Sequence, residues 1–203
     1  MQAQTSPADT ARASIGARRN PATEAAVLDA AMQIIAEQGF ASLTMESVAR
    51  RARAGKATLY RWWPSRAHLL LALYSRAKSA LPEPDSGDMM QDLTAHLADM
   101  LRQLNGSDGQ QPLAPLLRLL IAEAQTDATV RQALEQQRQE SWLHLDHIFA
   151  RAQQRGELNP ALSPRQAAQR LIAMLWYLLL TDALPAPDQA ATLVRTLTAD
   201  LRA

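Results

Sequence analysis

The chain has 203 residues, 47% of them apolar, and a formal net charge of +1, enough for one or two domains around a substantial core. Cysteine is absent, which excludes disulfides and thiolate metal sites and fits a reducing cytosol, so a cytoplasmic location is expected. The longest uncharged apolar run, Leu171 to Leu180, has ten residues against the roughly 20 of a membrane helix, and the first twenty residues lack the apolar stretch of a secretory signal.

Charge is spread unevenly. Residues 1–80 carry 11 Lys and Arg against 5 Asp and Glu, and residues 81–203 carry 10 against 15, so a head of +6 precedes a body of −5. This asymmetry suits a nucleic-acid-facing head and a body with another task, although fluctuation along a solvated surface also produces such counts. Residues 1–19 read as a flexible arm. In it, Arg18 and Arg19 either enter a DNA minor groove or belong to an ordinary solvated tail.

The first helix is predicted from Asn20–Pro21 to Gln38, because Val27, Ala30, Ala31, Ile34 and Ile35 recur at helical spacing and Gly39 supplies a stop. Phe40 and Leu43 then plug a small core. Residues 44–66, T-M-E-S-V-A-R-R-A-R-A-G-K-A-T-L-Y-R-W-W-P-S-R, read as two short helices on either side of a tight turn. Six cations, Arg50, Arg51, Arg53, Lys56, Arg61 and Arg66, face one acid, Glu46. Thr44 caps the first helix, Val48 and Ala49 turn inward, and Gly55 opens the second helix, which Pro64 ends. Leu59 and Trp63, four apart, form an inward pair. Lys56, Ala57, Thr58, Tyr60, Arg61 and Trp62 remain outward, on a helix shaped to enter the DNA major groove.

By chemistry, Lys56 suits a guanine edge or a phosphate, Ala57 a thymine methyl, and Thr58 a base or a phosphate. Tyr60 and Arg61 suit phosphates, while Trp62 either contacts DNA or packs. Thr44 offers its hydroxyl and helix N-terminus to the DNA backbone, and Arg66 does the same at the next helix.

The run A-G-K-A-T-L-Y-R-W-W-P-S-R resembles the DNA-binding signature of the TetR/AcrR family of bacterial regulators, and the resemblance extends over roughly residues 22–71. Arg53 stands where that family has a turn glycine, Gly55 where it has a capping serine, Trp63 for phenylalanine and Arg66 for lysine. The resemblance implies an all-α fold, with an N-terminal three-helix helix-turn-helix DNA-binding domain and a C-terminal helical ligand-binding and dimerisation domain. It implies a homodimer and repression relieved by ligand, while the absence of catalytic motifs separately leads to the expectation that the chain is no enzyme.

The helix after Pro64 carries Ala67, Leu70, Leu71 and Tyr74 on one stripe and is predicted to reach about Ala80. The segment L-P-E-P-D-S-G, residues 81–87, marks a boundary. The expected organisation is thus an arm at 1–19, a DNA-binding domain with its linking helix at 20–80, and an effector-binding and dimerisation domain at 81–203. Further helices are predicted at about 88–105, 112–125, 127–155, 164–182 and 187–202, with no strand signal.

In the last helix Ala190, Leu193, Leu197 and Leu201 form a narrow apolar stripe, and the helix before it is apolar nearly all round from Leu171. Leu175, Leu179, Leu193 and Leu197 are therefore candidates for a homodimeric four-helix interface, or else for a purely internal core. Among the pliable and aromatic residues, Met100, Trp142, Met174, Trp176 and Tyr177 are candidates to line a pocket for a small hydrophobic effector, with plain core packing as the alternative. His144 and His147, three apart, either share a metal or lie on an ordinary helix surface. No third ligand is indicated, and neither a metal nor a cofactor is expected.

No catalytic or nucleotide-binding motif is present. The function expected is a sequence-specific transcriptional regulator, a repressor released by its effector from a near-palindromic operator in double-stranded DNA. For a two-fold dimer the reading helices would lie about 34–36 Å apart or a multiple of that. The alternatives are an architectural dimer without sequence preference and an all-helical enzyme.

Overall fold

The computed structural model describes residues 20–107 and 109–202, apart from the side chains of Glu140 and Ser141. The arm, with Arg18 and Arg19, lies outside the described residues. The fold is all-α, as expected, and divides into two compact units between Pro64 and Ser65.

In the first unit, α1 (Pro21–Gln38) begins where Asn20 Oδ1 accepts from the Ala22 N–H at 3.0 Å and Pro21 fits the first turn. Its buried stripe is Val27, Leu28, Ala30, Ala31, Ile34 and Ile35. After a 3-10 turn at Phe40–Ser42 the chain enters α2 (Met45–Arg51) through a capping box in which Thr44 Oγ1 accepts from the Ser47 N–H and Ser47 Oγ accepts from the Thr44 N–H, both at 3.0 Å. A short turn leads to α3 (Lys56–Trp62). Leu43, Val48, Leu59 and Trp63 are buried and close this small core.

The second unit holds α4 (Arg66–Ala77), α5 (Met89–Asn105), α6 (Ala114–Glu123), α7 (Ala128–Gln154), α8 (Pro164–Leu180) and α9 (Ala190–Leu197). Side-chain caps open three of them: Asp88 on α5, Asp127 on α7, and Ser163 with Gln166 on α8. Helix α5 supplies Met89, Leu93, Leu97 and Leu101 to the core, α7 supplies Leu145, Ile148, Phe149 and Ala152, and α8 supplies Leu171, Ile172 and Leu175. The turn after α5 requires glycine: at φ 76° a Cβ on Gly106 would stand 2.7 Å from the Gln110 carbonyl oxygen.

Two helices, α4 and the last, end differently from expectation. Helix α4 stops at Ala77 because Lys78 turns extended and its ammonium donates to the Gln137 carbonyl at 3.3 Å. The last helix is shorter at both ends, starting after a 3-10 turn at Pro187–Gln189 and ending at Leu197. There the chain buries Leu201, whose carbonyl accepts from the Asn159 N–H at 2.8 Å, and an isolated bridge joins Leu158 to Arg202. Those bonds replace helical ones. No helix among the described residues is long and apolar enough to cross a membrane.

Candidate nucleic-acid interface

Burial of Leu59 and Trp63 fixes which side of α3 faces outward. Lys56, Ala57, Tyr60 and Arg61 are exposed, and Thr58 and Trp62 are half-buried. Trp62 meets Trp63 edge-on, with ring centroids 5.8 Å apart, so packing holds at least part of its surface. The Thr44 hydroxyl oxygen accepts in the capping box, and its side chain stays exposed at the start of α2.

One acid organises this cationic face, and sequence reading assigned it no role. Glu46 Oε1 accepts from the Tyr60 hydroxyl at 3.2 Å and lies 3.9 Å from Lys56 Nζ. Desolvation, and then the bond to Glu46, raise the Tyr60 pKa above the ordinary phenol value. Arg51 is turned toward α1, where it pairs with Glu37 at 2.6 Å and holds that carboxyl below its usual range. Arg66 is likewise engaged: its guanidinium donates to Glu123 at the end of α6, at 2.7 Å, within the second unit. Its expected role on the DNA backbone has this carboxylate as a standing competitor.

The turn between the two short helices explains the departure at Arg53. The Ala54 N–H reaches the Ala49 carbonyl at 3.0 Å and the Arg53 N–H reaches the Arg50 carbonyl at 3.3 Å, the pattern that closes a helix through a left-handed residue. Arg53 occupies that position at φ 51°.

In the second unit a cavity of about 100 Å³ lies among α4 to α8. Met100, Trp142 and Trp176 line it, together with Tyr74 of α4. Met174 and Tyr177 do not: they point outward, 40% and 61% exposed. Leu175 and Leu179, expected at a dimer surface, are 4% and 2% exposed and line the cavity. For these four residues the inward and outward sides of α8 are the reverse of those expected, because α8 turns the Leu171, Ile172, Leu175 and Leu179 stripe inward. Leu193 and Leu197 are partly buried against the core. Sequence reading also missed the polar members of the wall, Lys78, Gln103, Gln137 and Arg138. The spacing of Arg138 and Trp142, one turn apart on α7, was the available signal: the guanidinium sits 4.7 Å from that ring centroid.

The two histidines separate. His147 Nδ1 lies 3.1 Å from Glu83, whereas the His144 ring meets the buried His96 edge-on at 5.7 Å. Among the described residues no group of three or more metal-capable side chains forms.

A basic two-helix reader on the first unit, followed by an all-helical unit with an interior cavity, defines a helix-turn-helix regulator. Residues 27–73 match the family described as bacterial regulatory proteins, tetR family, and residues 83–197 match the tetracyclin repressor-like C-terminal domain. The chain is 29% identical over 167 residues to the uncharacterized HTH-type transcriptional regulator YdeS of Bacillus subtilis, covering 81% of this chain and 82% of that protein. It is 30% identical over 143 residues to the DNA-binding transcriptional repressor TetR of Mycobacteroides abscessus, covering 68% and 72%. The solved TetR family transcription regulator SCO0332 is similar at a TM-score of 0.62 and 28% identity, over 88% of this chain and 98% of that one. The chain belongs to the TetR family and is a DNA-binding transcriptional regulator. The architectural and enzymatic readings draw no support from these relatives.

Proposed function

We propose that the protein is a cytoplasmic repressor that grips a near-palindromic operator as a homodimer and releases it when a small, mainly apolar effector fills the cavity. The observation that carries this reading is the cavity wall itself. Tyr74 lines the cavity from α4, and only three residues separate α4 from the reading helix α3. An effector that favours one placement of α4 therefore acts on the element to which α3 is covalently joined. The energy available for release is the effector's difference in affinity between the two states.

On DNA, Lys56, Ala57 and Thr58 face the base edges, and Tyr60 and Arg61 hold phosphates together with Thr44. Trp62 adds a partial contact. Arg66, held by Glu123, ties α4 to α6 and is assigned to coupling instead. The dimer forms through the outward side of α8, where Met174, Tyr177 and Leu180 are large, apolar and exposed.

Footprinting of the purified protein on the DNA flanking its own gene tests the reading. Two symmetric half-sites should be protected, with binding tighter than to random duplex at physiological salt. Equal affinity for both DNAs refutes sequence-specific regulation.

A further inference from the structure

The charge of the cavity wall selects among effectors. Two cationic side chains, Lys78 and Arg138, line the cavity, and none of its lining residues is an Asp or a Glu. Lys78 Nζ bonds the carbonyl of Gln137, the residue before Arg138, so both cations belong to one stretch of the wall along α7. Arg138 is fixed in place: its guanidinium lies 4.7 Å from the Trp142 ring centroid and 5.3 Å from that of Trp176, and Glu135 holds its Nη2. Its Nε is buried without a hydrogen-bond partner. A buried guanidinium donor lacking an acceptor is costly, and a bound oxygen anion would satisfy it. A separate polar groove of about 510 Å³ shares Lys78, Leu81 and Gln137 with the cavity wall and includes Ser75, Ser79 and His144. An occupant is thus offered apolar surface from leucines such as Leu113, Leu117 and Leu175, and a cationic, hydrogen-bonding stretch where Arg138 lies against the two tryptophans.

We infer that the effector is an apolar monocarboxylic acid, its hydrocarbon body in the cavity and its carboxylate against Arg138 and Lys78; this rests on the effector reading proposed above. A lipophilic cation finds no counter-charge on this wall, and a neutral molecule leaves the Arg138 donor at best partly used. A volume near 100 Å³ is smaller than the roughly 150 Å³ cavity that holds a benzene, so the acid is a small one, or the tryptophan wall must yield.

Three probes with one small body and different charge test this on the full-length protein by titration calorimetry: butanoate, butan-1-ol and butan-1-amine. The acid should bind at least about ten-fold tighter than the alcohol, as charge-assisted hydrogen bonds require. The amine should bind more weakly than either. In Arg138→Gln the acid should fall to the affinity of the alcohol while the alcohol holds its own, and Lys78→Met should narrow the gap in the same direction. The wild-type ranking needs no variant to fold. An alcohol or amine that binds as well as the acid overturns the inference and leaves the effector cavity standing. Failure of all three to bind overturns both.

Discussion

Arg53→Gly isolates a local conflict between backbone and side chain. At φ 51° Arg53 sits in the left-handed region, which costs an L-residue with a Cβ roughly 1–2 kcal/mol. Glycine removes that cost but gives the unfolded chain more freedom to lose, about 0.4–1 kcal/mol in the opposite direction. The net expectation is a first unit more stable by about 0.5–1 kcal/mol, since the Ala54-to-Ala49 and Arg53-to-Arg50 backbone bonds that close the turn need no side chain. Amide hydrogen exchange reads this unit separately: the Val48, Ala49 and Leu59 amides should exchange about two- to five-fold more slowly, while those of Leu97 and Leu101 on α5 stay unchanged as an internal control. Arg53→Ala separates strain from charge, because alanine keeps the strained φ and loses only the guanidinium. Exchange that is unchanged or faster in the glycine variant would refute the account of the turn. Any loss of operator affinity shared by both variants then belongs to the missing cation, and a salt slope shallower by about 1 would place that cation on a phosphate.

Lys56→Ala and Tyr60→Ala should each weaken operator binding by about 1–3 kcal/mol in a gel-shift titration with the dimer intact; unaltered binding in both would dismiss the docking of α3. Met174→Asp combined with Tyr177→Asp should yield monomers in sedimentation and abolish tight operator binding, because two carboxylates would be desolvated at the apolar face of α8; a persistent dimer would place the interface elsewhere. Burial lowers the His96 pKa from 6.5 to about 4, so the unfolded chain binds the extra proton between those values and stability falls as pH drops through that window. The loss should be on the order of 3 kcal/mol once pH is below 4, with His96→Leu flattening that part of the denaturation-versus-pH curve. An equally steep curve in the variant would assign the effect to other groups.

Helix order and the outward side of α3 were legible because each rests on short-range features. Leu59, Trp63 and Pro64 leave one outward side for α3, and Asn20, Thr44 and Ser163 announce helix starts through bonds to residues two or three positions away. Sides of α8 were not legible from its apolar second half, since Met174, Leu175, Tyr177 and Leu179 carry no polar contrast. The first half does carry it. Gln166 and Arg170 are exposed and polar, and the same stripe continued at helical spacing runs through Ala173, Tyr177 and Leu180, so that Ala168, Leu171, Ile172, Leu175 and Leu179 are left to face inward. Had the polar residues been extended as a phase reference, the exchange between pocket and surface would have been avoided. Lys78 depends on a different kind of information, because its ammonium bonds a carbonyl 59 positions away. Glu46, ten and fourteen residues from Lys56 and Tyr60, becomes their neighbour only when the turn through Arg53 folds α3 back beside α2. An acid amid six cations looks in sequence like dilution of the charge, yet in the fold it is a carboxylate that already engages Lys56 and Tyr60. On the docking proposed for α3, operator binding exchanges one set of partners for another at Lys56 and Tyr60, and the affinity these residues add is the difference between the two sets.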